Sequence, residues 1–183
     1  MITPLEIDPE INIGHRLLGE TYQTIQRDLQ VPFQVWLLEN PKSFMPLPGN
    51  ISLPNHDCLH LLLNRGFSPE DEAFILGFTM GNDLDTGWLH VQLFKLASRF
   101  FYPKKYQFSL EHLKRFDLGF LYGRQIAETH PNLNRLDFLA HAHCRISEVR
   151  DLVGIRMQTL RQLWETECLL TTTTLLDNVA AIG

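Results

Sequence analysis

The sequence predicts an all-α protein, a single-domain multi-helix bundle with its most distinctive motif on a helical hairpin. Three observations predict this. Apolar residues recur at spacings of three and four through several segments, the period of one helical face. No stretch of useful length alternates apolar with polar residues, and no hairpin dipeptide stands between such runs. The punctuation is also that of helices, with Ser-Pro starts, glycine stops and proline-rich connections. At 183 residues the chain can bury one substantial core, and no internal repeat divides it. Residues 1–13 are expected to form an N-terminal arm and residues 171–183 a loosely held tail.

The elements follow in order. Met1 to Ile13 hold two prolines and little periodicity, as an extended arm would. From Gly14 to Leu29, the apolar Leu17, Leu18, Tyr22 and Ile25 mark one face of an amphipathic helix. Pro32 opens a shorter apolar segment, Phe33 to Leu38, with the composition of a buried helix. Pro41 to Pro54 contains four prolines, Gly49 and Asn50, which stop a helix and mark an ordered connection.

The next helix carries His56, Asp57, Cys58, Leu59 and His60. It is expected to end at Asn64-Arg65-Gly66, with Gly66 taking the left-handed cap. Another helix starts at once, with Ser68 as N-cap, Pro69 at the first helical position and Asp71 completing an approximate capping box. After Met80, Gly81 to Gly87 reads as a turn, with Asp85 or Thr86 available to cap the following helix. An ion site lined by carboxylates is the alternative there, but these residue types favour turns and caps.

From Trp88 to Phe100, Leu89, Leu93, Leu96 and Phe100 recur at four, three and four, and Phe101, Tyr102, Lys104 and Lys105 follow. Two readings stay open. One is a core helix whose cationic last turn complements the helix dipole; the other is a helix lying at a membrane interface, apolar side down and cations toward anionic headgroups. A long helix is expected from Ser109, its N-cap with His112 at N3, to Thr129, carrying Leu113, Phe116, Phe120, Leu121 and Ile126. Gly119 and Gly123 stand four apart on it, which permits close approach of another helix or of a ligand tail.

Pro131 ends that helix. The next is expected from Leu136 to Val153, where His141 and His143 are two apart and face different ways, a poor arrangement for shared ligation. After Gly154, a last helix from Arg156 to Leu169 precedes Thr171–Thr174, whose β-branched side chains weaken helix.

A net charge of −5 and a pI near 5.9 argue against an electrostatic nucleic-acid binder. Three separated cysteines, Cys58, Cys144 and Cys168, fit reduced thiols in a cytoplasmic compartment. Acidic Glu6, Asp8 and Glu10 stand where a leader would be basic, and no run of about 18 apolar residues exists to span a bilayer. No nucleophile triad, phosphate-binding glycine loop or dinucleotide fingerprint is found.

The chemistry concentrates between His56 and Glu72. Residues four apart share a helix face, so His56 and His60 can offer two imidazole nitrogens to one point, which is metal-ligand spacing. Helical rise puts His60 ~8 Å before the end of its helix and Glu72 ~6 Å after the start of the next, level with each other across a tight hairpin. With the adjacent Asp57, the set His56, Asp57, His60 and Glu72 suits a divalent metal, zinc first, with magnesium, manganese or iron as alternatives. The plainer reading of the same residues is a partly buried histidine and a helix cap with its neighbour. Four such ligands would leave up to two positions open for a phenolate or carboxylate oxygen, polarised by the metal as a Lewis acid. Asp57 serves either as a ligand or as a proton carrier or partner of a histidine.

In residue type and spacing, His-Asp-x-x-His followed after eleven residues by Glu, this stretch resembles the signature of the ubiquinone (coenzyme Q) biosynthesis protein 4 family. Beyond it the likeness is an all-helical pattern and a late Tyr122-Gly123-Arg124 segment, while Gly81–Gly87 departs from the family. The resemblance implies a homodimeric protein at a peripheral membrane surface that acts on a polyprenylated benzenoid precursor of ubiquinone. It implies replacement of the ring carboxyl at C1 by hydroxyl, organisation of other biosynthetic enzymes, and a catalytic metal held by His56, Asp57, His60 and Glu72.

An isoprenoid tail needs an apolar groove between helices, for which Leu93, Leu96, Phe100, Phe116, Phe120 and Leu121 are the candidates. Two other classes compete. One is a non-catalytic carrier of isoprenoid or prenylquinone-precursor lipid, or a scaffold, with a structural metal. The other is a His-Asp type metal-dependent phosphohydrolase, which would need His15 and Asp83 or Asp85 around His56-Asp57.

Overall fold

The computed structural model describes residues 12–25 and 47–180, with side chains as far as Leu170. The chain is all-α. Among the described residues there are seven α-helices: α1 Leu18–Gln23, α2 Leu53–Leu62, α3 Pro69–Asn82, α4 Trp88–Phe100, α5 Leu110–Ala127, α6 Ile146–Leu152 and α7 Met157–Ala180. Three short 3-10 turns join them, and the only strand-like pairing described is a single bridge between Leu17 and Arg145. The expected arm to residue 11 and the segment Phe33–Leu38 lie outside the described residues.

The centre of the fold is the parallel pair α3 and α5. A methyl group added at Gly77 would come closer than 3.0 Å to the Phe116 carbonyl oxygen, and one at Gly81 equally close to that of Phe120. The relation is reciprocal: Gly119 faces the Phe74 carbonyl and Gly123 the Phe78 carbonyl. Four glycines thus let two backbones touch, the packing that small-xxx-small spacing permits, and place Cα–H groups against facing carbonyls. The close approach foreseen at Gly119 and Gly123 is to a helix.

Apolar layers fill both sides of this pair. On one side Leu59, Leu62, Phe74, Phe78, Tyr122, Ile126, Phe138, Ile146 and Val149 form the larger core. On the other, Ala73, Leu76, Met80, Val91, Phe94, Phe108 and Phe116 form a smaller one, where Phe94 stacks on Phe116 with centroids 5.1 Å apart. Helix α4 enters the smaller core through Val91, Phe94 and Ala97. The stripe Leu89, Leu93, Leu96 and Phe100 faces outward.

Loops are tied by buried polar groups. The Asp83 carboxylate accepts from the backbone N–H groups of Gly49 (2.8 Å) and Asp85 (2.9 Å) and from Asn134 Nδ2 (3.1 Å). Asn82 joins the same junction, donating to the His130 carbonyl (2.9 Å) and accepting from Leu133 N–H (2.6 Å). The expected turn begins only at Asp83, since α3 runs to Asn82; Asn82 and Asp83 stitch three connections together, and the N-cap of α4 is Gly87 rather than Asp85 or Thr86. The N-cap side chains foreseen for α3 and α5 are in place: Ser68 Oγ accepts from Asp71 N–H (3.2 Å) and Ser109 Oγ from His112 N–H (3.1 Å).

At the far side, α1 and α6 cap one another. The Cys144 and Ala142 carbonyls accept from Leu18 and Gly19 N–H, and the Arg16 and Gly14 carbonyls accept from Ile146 and Ser147 N–H, all at 2.9 Å. This exchange corrects the expected single helix from Leu136 to Val153. The carbonyls of residues 142 and 144 are spent on α1, so the segment folds as 3-10 turns at Leu133–Arg135 and Phe138–His141 before α6 begins. Helix α7 is longer than expected, running through the four threonines to Ala180; a β-branched residue costs only a few tenths of a kcal/mol in helix, roughly 0.5–0.7 relative to alanine, too little to end one.

Candidate metal site

The motif helix α2 is tied at both ends to the last third of the chain, by its own Asn55 at the start and by Arg150 at the end. Near its start, Asn55 Oδ1 accepts from Phe138 N–H (3.2 Å) while its Nδ2 donates to the Leu136 carbonyl. At its end, the buried Arg150 guanidinium donates to the Leu62 carbonyl (2.7 Å), the Leu61 carbonyl (3.0 Å) and Asn64 Oδ1 (3.3 Å). A cation on the last carbonyls of a helix satisfies acceptors that have no partner within it and complements the dipole. Burial without a carboxylate partner pushes the Arg150 pKa down to about 10.

The turn into α3 is made at Asn64, whose φ of 54° is left-handed, and the Arg65 N–H then bonds back to the His60 carbonyl (2.8 Å). This corrects the expectation that Gly66 would take that conformation. Asparagine tolerates it because its short side chain bonds locally, here toward Arg150.

Arg65 then locks the hairpin. Fully buried, it makes two bonds to Glu167 of α7 (2.8 and 2.6 Å), and Arg115 of α5 adds a third (2.9 Å). Its guanidinium lies between the Phe74 ring (3.7 Å to the centroid) and the Trp164 ring (4.5 Å).

On this support three donors converge. His56 Nε2 is 3.2 Å from Glu72 Oε2, and His60 Nε2 is 3.4 Å from Glu72 Oε1. One donor atom from each residue lies within 4.8 Å of the others. Zinc bonds of 2.0–2.1 Å in a tetrahedron put neighbouring donors about 3.3 Å apart, so these nitrogen-to-oxygen separations fit one ion. The buried Nε2 of His60 has no hydrogen-bond partner.

The other nitrogen of each ring faces a different group. His60 Nδ1 lies 2.6 Å from the Gly66 carbonyl, to which it donates, leaving Nε2 to face Glu72. His56 Nδ1 lies 3.7 Å from Asp57 Oδ1. Asp57 is therefore on the side of His56 away from the convergence point and outside the group of three. Of its two foreseen roles, this position suits partner of a histidine.

Phe67 stacks on the His60 ring at 4.3 Å, and the site opens toward solvent on the side of Glu72 and His56 while His60 is sealed.

Electrostatics hold the site together without a metal. Burial by itself lowers the His56 pKa, but Glu72 and Asp57 outweigh it and push it up to about 10. Burial likewise tends to raise the Glu72 carboxyl, yet His60 and His56 hold it well below the usual carboxylate range. In the metal-free protein the pairing thus stabilises the fold at neutral pH. It is lost as pH rises through about 10, where His56 gives up its proton, and again in strong acid as Glu72 takes one up.

A metal competes with the His56 proton. Zinc binding at pH 7 is expected to release about one proton, so that apparent affinity rises about tenfold per pH unit up to pH 9. Calorimetry in two buffers of different ionisation heat measures this, and a binding heat independent of buffer would contradict it.

The other foreseen site residues are dispersed. Phe116 is sealed in the smaller core and Phe120 is half-buried against it, whereas Leu93, Leu96, Phe100 and Leu121 are exposed. Phe116 stacks on Phe94 and on Phe120. His15, Asp83 and Asp85 are not part of the donor group; Asp83 is committed to the loops and Asp85 pairs with Arg135 at 2.5 Å. The Gly66 carbonyl, Arg65 and Glu167 had no signal in the sequence, the first because it is backbone and the others because 102 residues separate them.

Comparison with protein-family models, curated proteins and solved structures finds no match to this chain.

Proposed function

We propose that the protein is a divalent-metal protein of prenylquinone biosynthesis that binds the oxygenated ring of a polyprenylated benzenoid precursor at His56, His60 and Glu72. One observation carries the metal: two imidazoles and a carboxylate from facing helices, converging with zinc-like spacing, the buried His60 Nε2 facing Glu72 without a hydrogen bond. The class of substrate rests on the resemblance of the His56–Glu72 motif to the ubiquinone biosynthesis protein 4 family.

Three protein donors with an open side is the pattern of sites that leave a coordination position for substrate, which favours a catalyst over a carrier or scaffold. A bound ion would supply Lewis acidity to a phenolate or carboxylate oxygen. The chain's own contribution is orientation and charge: the Gly66 carbonyl fixes the His60 ring, Asp57 and Glu72 set negative charge beside His56, and Phe67 covers His60. Replacing the ring carboxyl by hydroxyl releases carbon dioxide and removes two electrons from the ring, with dioxygen as the oxidant class. Zinc, which undergoes no redox change, fits the donor set for binding; iron or manganese fits it where the oxidant is activated at the metal.

The test is metal loading of the purified full chain. About one zinc, iron or manganese ion per chain is expected, and His60→Ala is expected to weaken binding by more than about 100-fold, beyond the range typical for groups that only orient a ligand. Equal metal content in His60→Ala would end this reading. If His60→Ala folds, as judged by circular dichroism, but yields no prenylquinone product in cells, the metal is catalytic. If it fails to fold, the metal is structural and the carrier reading takes over.

A further inference from the structure

We infer, on the basis of the metal reading above, that Phe67 is a specificity-determining residue: a stacking platform for an aromatic ring whose oxygen occupies the open coordination position. Phe67 belongs to neither core. Its ring lies on the His60 imidazole, with centroids 4.3 Å and planes 28° apart, and is still 41% exposed. One face therefore covers His60 and the other is turned outward.

Folding alone does not account for this placement. In a hydrophobic staple, the residue before the N-cap packs on the fourth residue after it. For α3 those positions are Phe67 and Glu72, and Glu72 is one of the three donors. The ring thus has no apolar partner at that position and lies against the donor group, on the hairpin that joins His60 to Glu72.

The backbone is pinned on both sides of the ring. Before it, the Gly66 carbonyl accepts from His60 Nδ1 (2.6 Å); after it, Ser68 Oγ accepts from Asp71 N–H (3.2 Å). A platform already held in place loses little freedom when a ligand stacks on it.

The class of ligand follows from these neighbours. Three protein donors leave a position for a ligand oxygen, and the part-exposed Glu72 and His56 form the edge through which it enters. Among the described residues Phe67 is the one phenyl, phenol or indole ring in contact with either histidine. An aromatic ligand gains a ring pair there, worth about two- to twelvefold in affinity. An aliphatic ligand with the same oxygens does not.

The experiment compares benzohydroxamate with acetohydroxamate, which offer the same two oxygens and differ by a phenyl ring, in calorimetric titrations of the zinc-loaded full chain. The parent is expected to bind benzohydroxamate the more tightly. Phe67→Leu is expected to shrink that preference about two- to twelvefold, with zinc content, melting temperature and acetohydroxamate affinity unchanged. Phe67→Trp, which restores a ring, is expected to keep the preference.

An unchanged preference in Phe67→Leu, or equal weakening of both ligands, would overturn the inference. So would loss of zinc from Phe67→Leu, which would make the ring only a seal over His60. A parent chain that takes up no divalent metal ends the metal reading and this inference with it, whereas a zinc-loaded chain indifferent to the ligand's ring ends this inference alone.

Discussion

Gly119→Ala is expected to destabilise the protein by about 2 kcal/mol or more, although alanine is the better helix former by about 1 kcal/mol. The two effects have opposite signs, so magnitude decides. A methyl group at Gly119 meets the Phe74 carbonyl oxygen closer than 3.0 Å, and a backbone atom held in its own helical ladder cannot rotate aside. The helices must separate, and the apolar layers on both sides of α3 and α5 loosen together. Overpacking of a tight interior costs typically about 1–3 kcal/mol, and a clash with backbone lies at or above the upper end. For a chain of this length that is a fall in melting temperature of roughly 4–12 °C. Urea denaturation of Gly77→Ala, Gly119→Ala and Gly123→Ala measures it; a variant as stable as the parent would mean that the helices do not touch along this line.

Glu167→Ala is expected to cost about 3–5 kcal/mol, the range for removing one partner of a buried ion pair. Arg65 would be left buried between Phe74 and Trp164, with Asp71 at 3.9 Å the one carboxylate left beside it among the described residues. Arg115 would lose the same oxygen.

Much of this loss is the penalty of an uncompensated charge, so removing both partners is expected to be milder than removing one. Arg65→Met with Glu167→Leu replaces the pair by apolar groups of similar size and should recover a large part of the stability. A double-mutant cycle read from denaturation midpoints tests this. A Glu167→Ala variant within about 1 kcal/mol of the parent would place the pair in the class of solvated ion pairs. Arg65 directly precedes Gly66, whose carbonyl orients His60, so the single variant should also blur metal binding while the paired one should not.

The hairpin was legible because its signals are local. Ser68, Pro69 and Asp71 announce the start of α3 within four residues, and the spacing of His56, His60 and Glu72 projects onto one height of two adjacent helices. Periodicity identified α4 to the residue, yet it cannot say which of two apolar faces is buried. Both Leu89/Leu93/Leu96/Phe100 and Val91/Phe94/Ala97 have helical spacing, and only the stacking of Phe94 on Phe116 decides between them.

What packs on the small-residue face of α5 was hidden for a related reason. Gly119 and Gly123 signal close approach without naming the partner, and the matching Gly77 and Gly81 turn out to be that partner. Asn64 rather than Gly66 is the left-handed residue, and its side chain accepts from Arg150, 86 residues away. Long-range reasons of that kind leave no local trace.

The mutual capping of α1 and α6 has a consequence for how the chain emerges during synthesis. Neither helix has complete termini until the other is present, and the bond from Arg150 to Asn12 that seals their junction spans 138 residues. At about 5–20 residues per second, the nascent N-terminal segment waits roughly 7–28 s for its counterpart to leave the ribosome. During that interval the start of α1 lacks the carbonyls of residues 142 and 144 that complete it, so α1 cannot reach its native state before α6 has emerged.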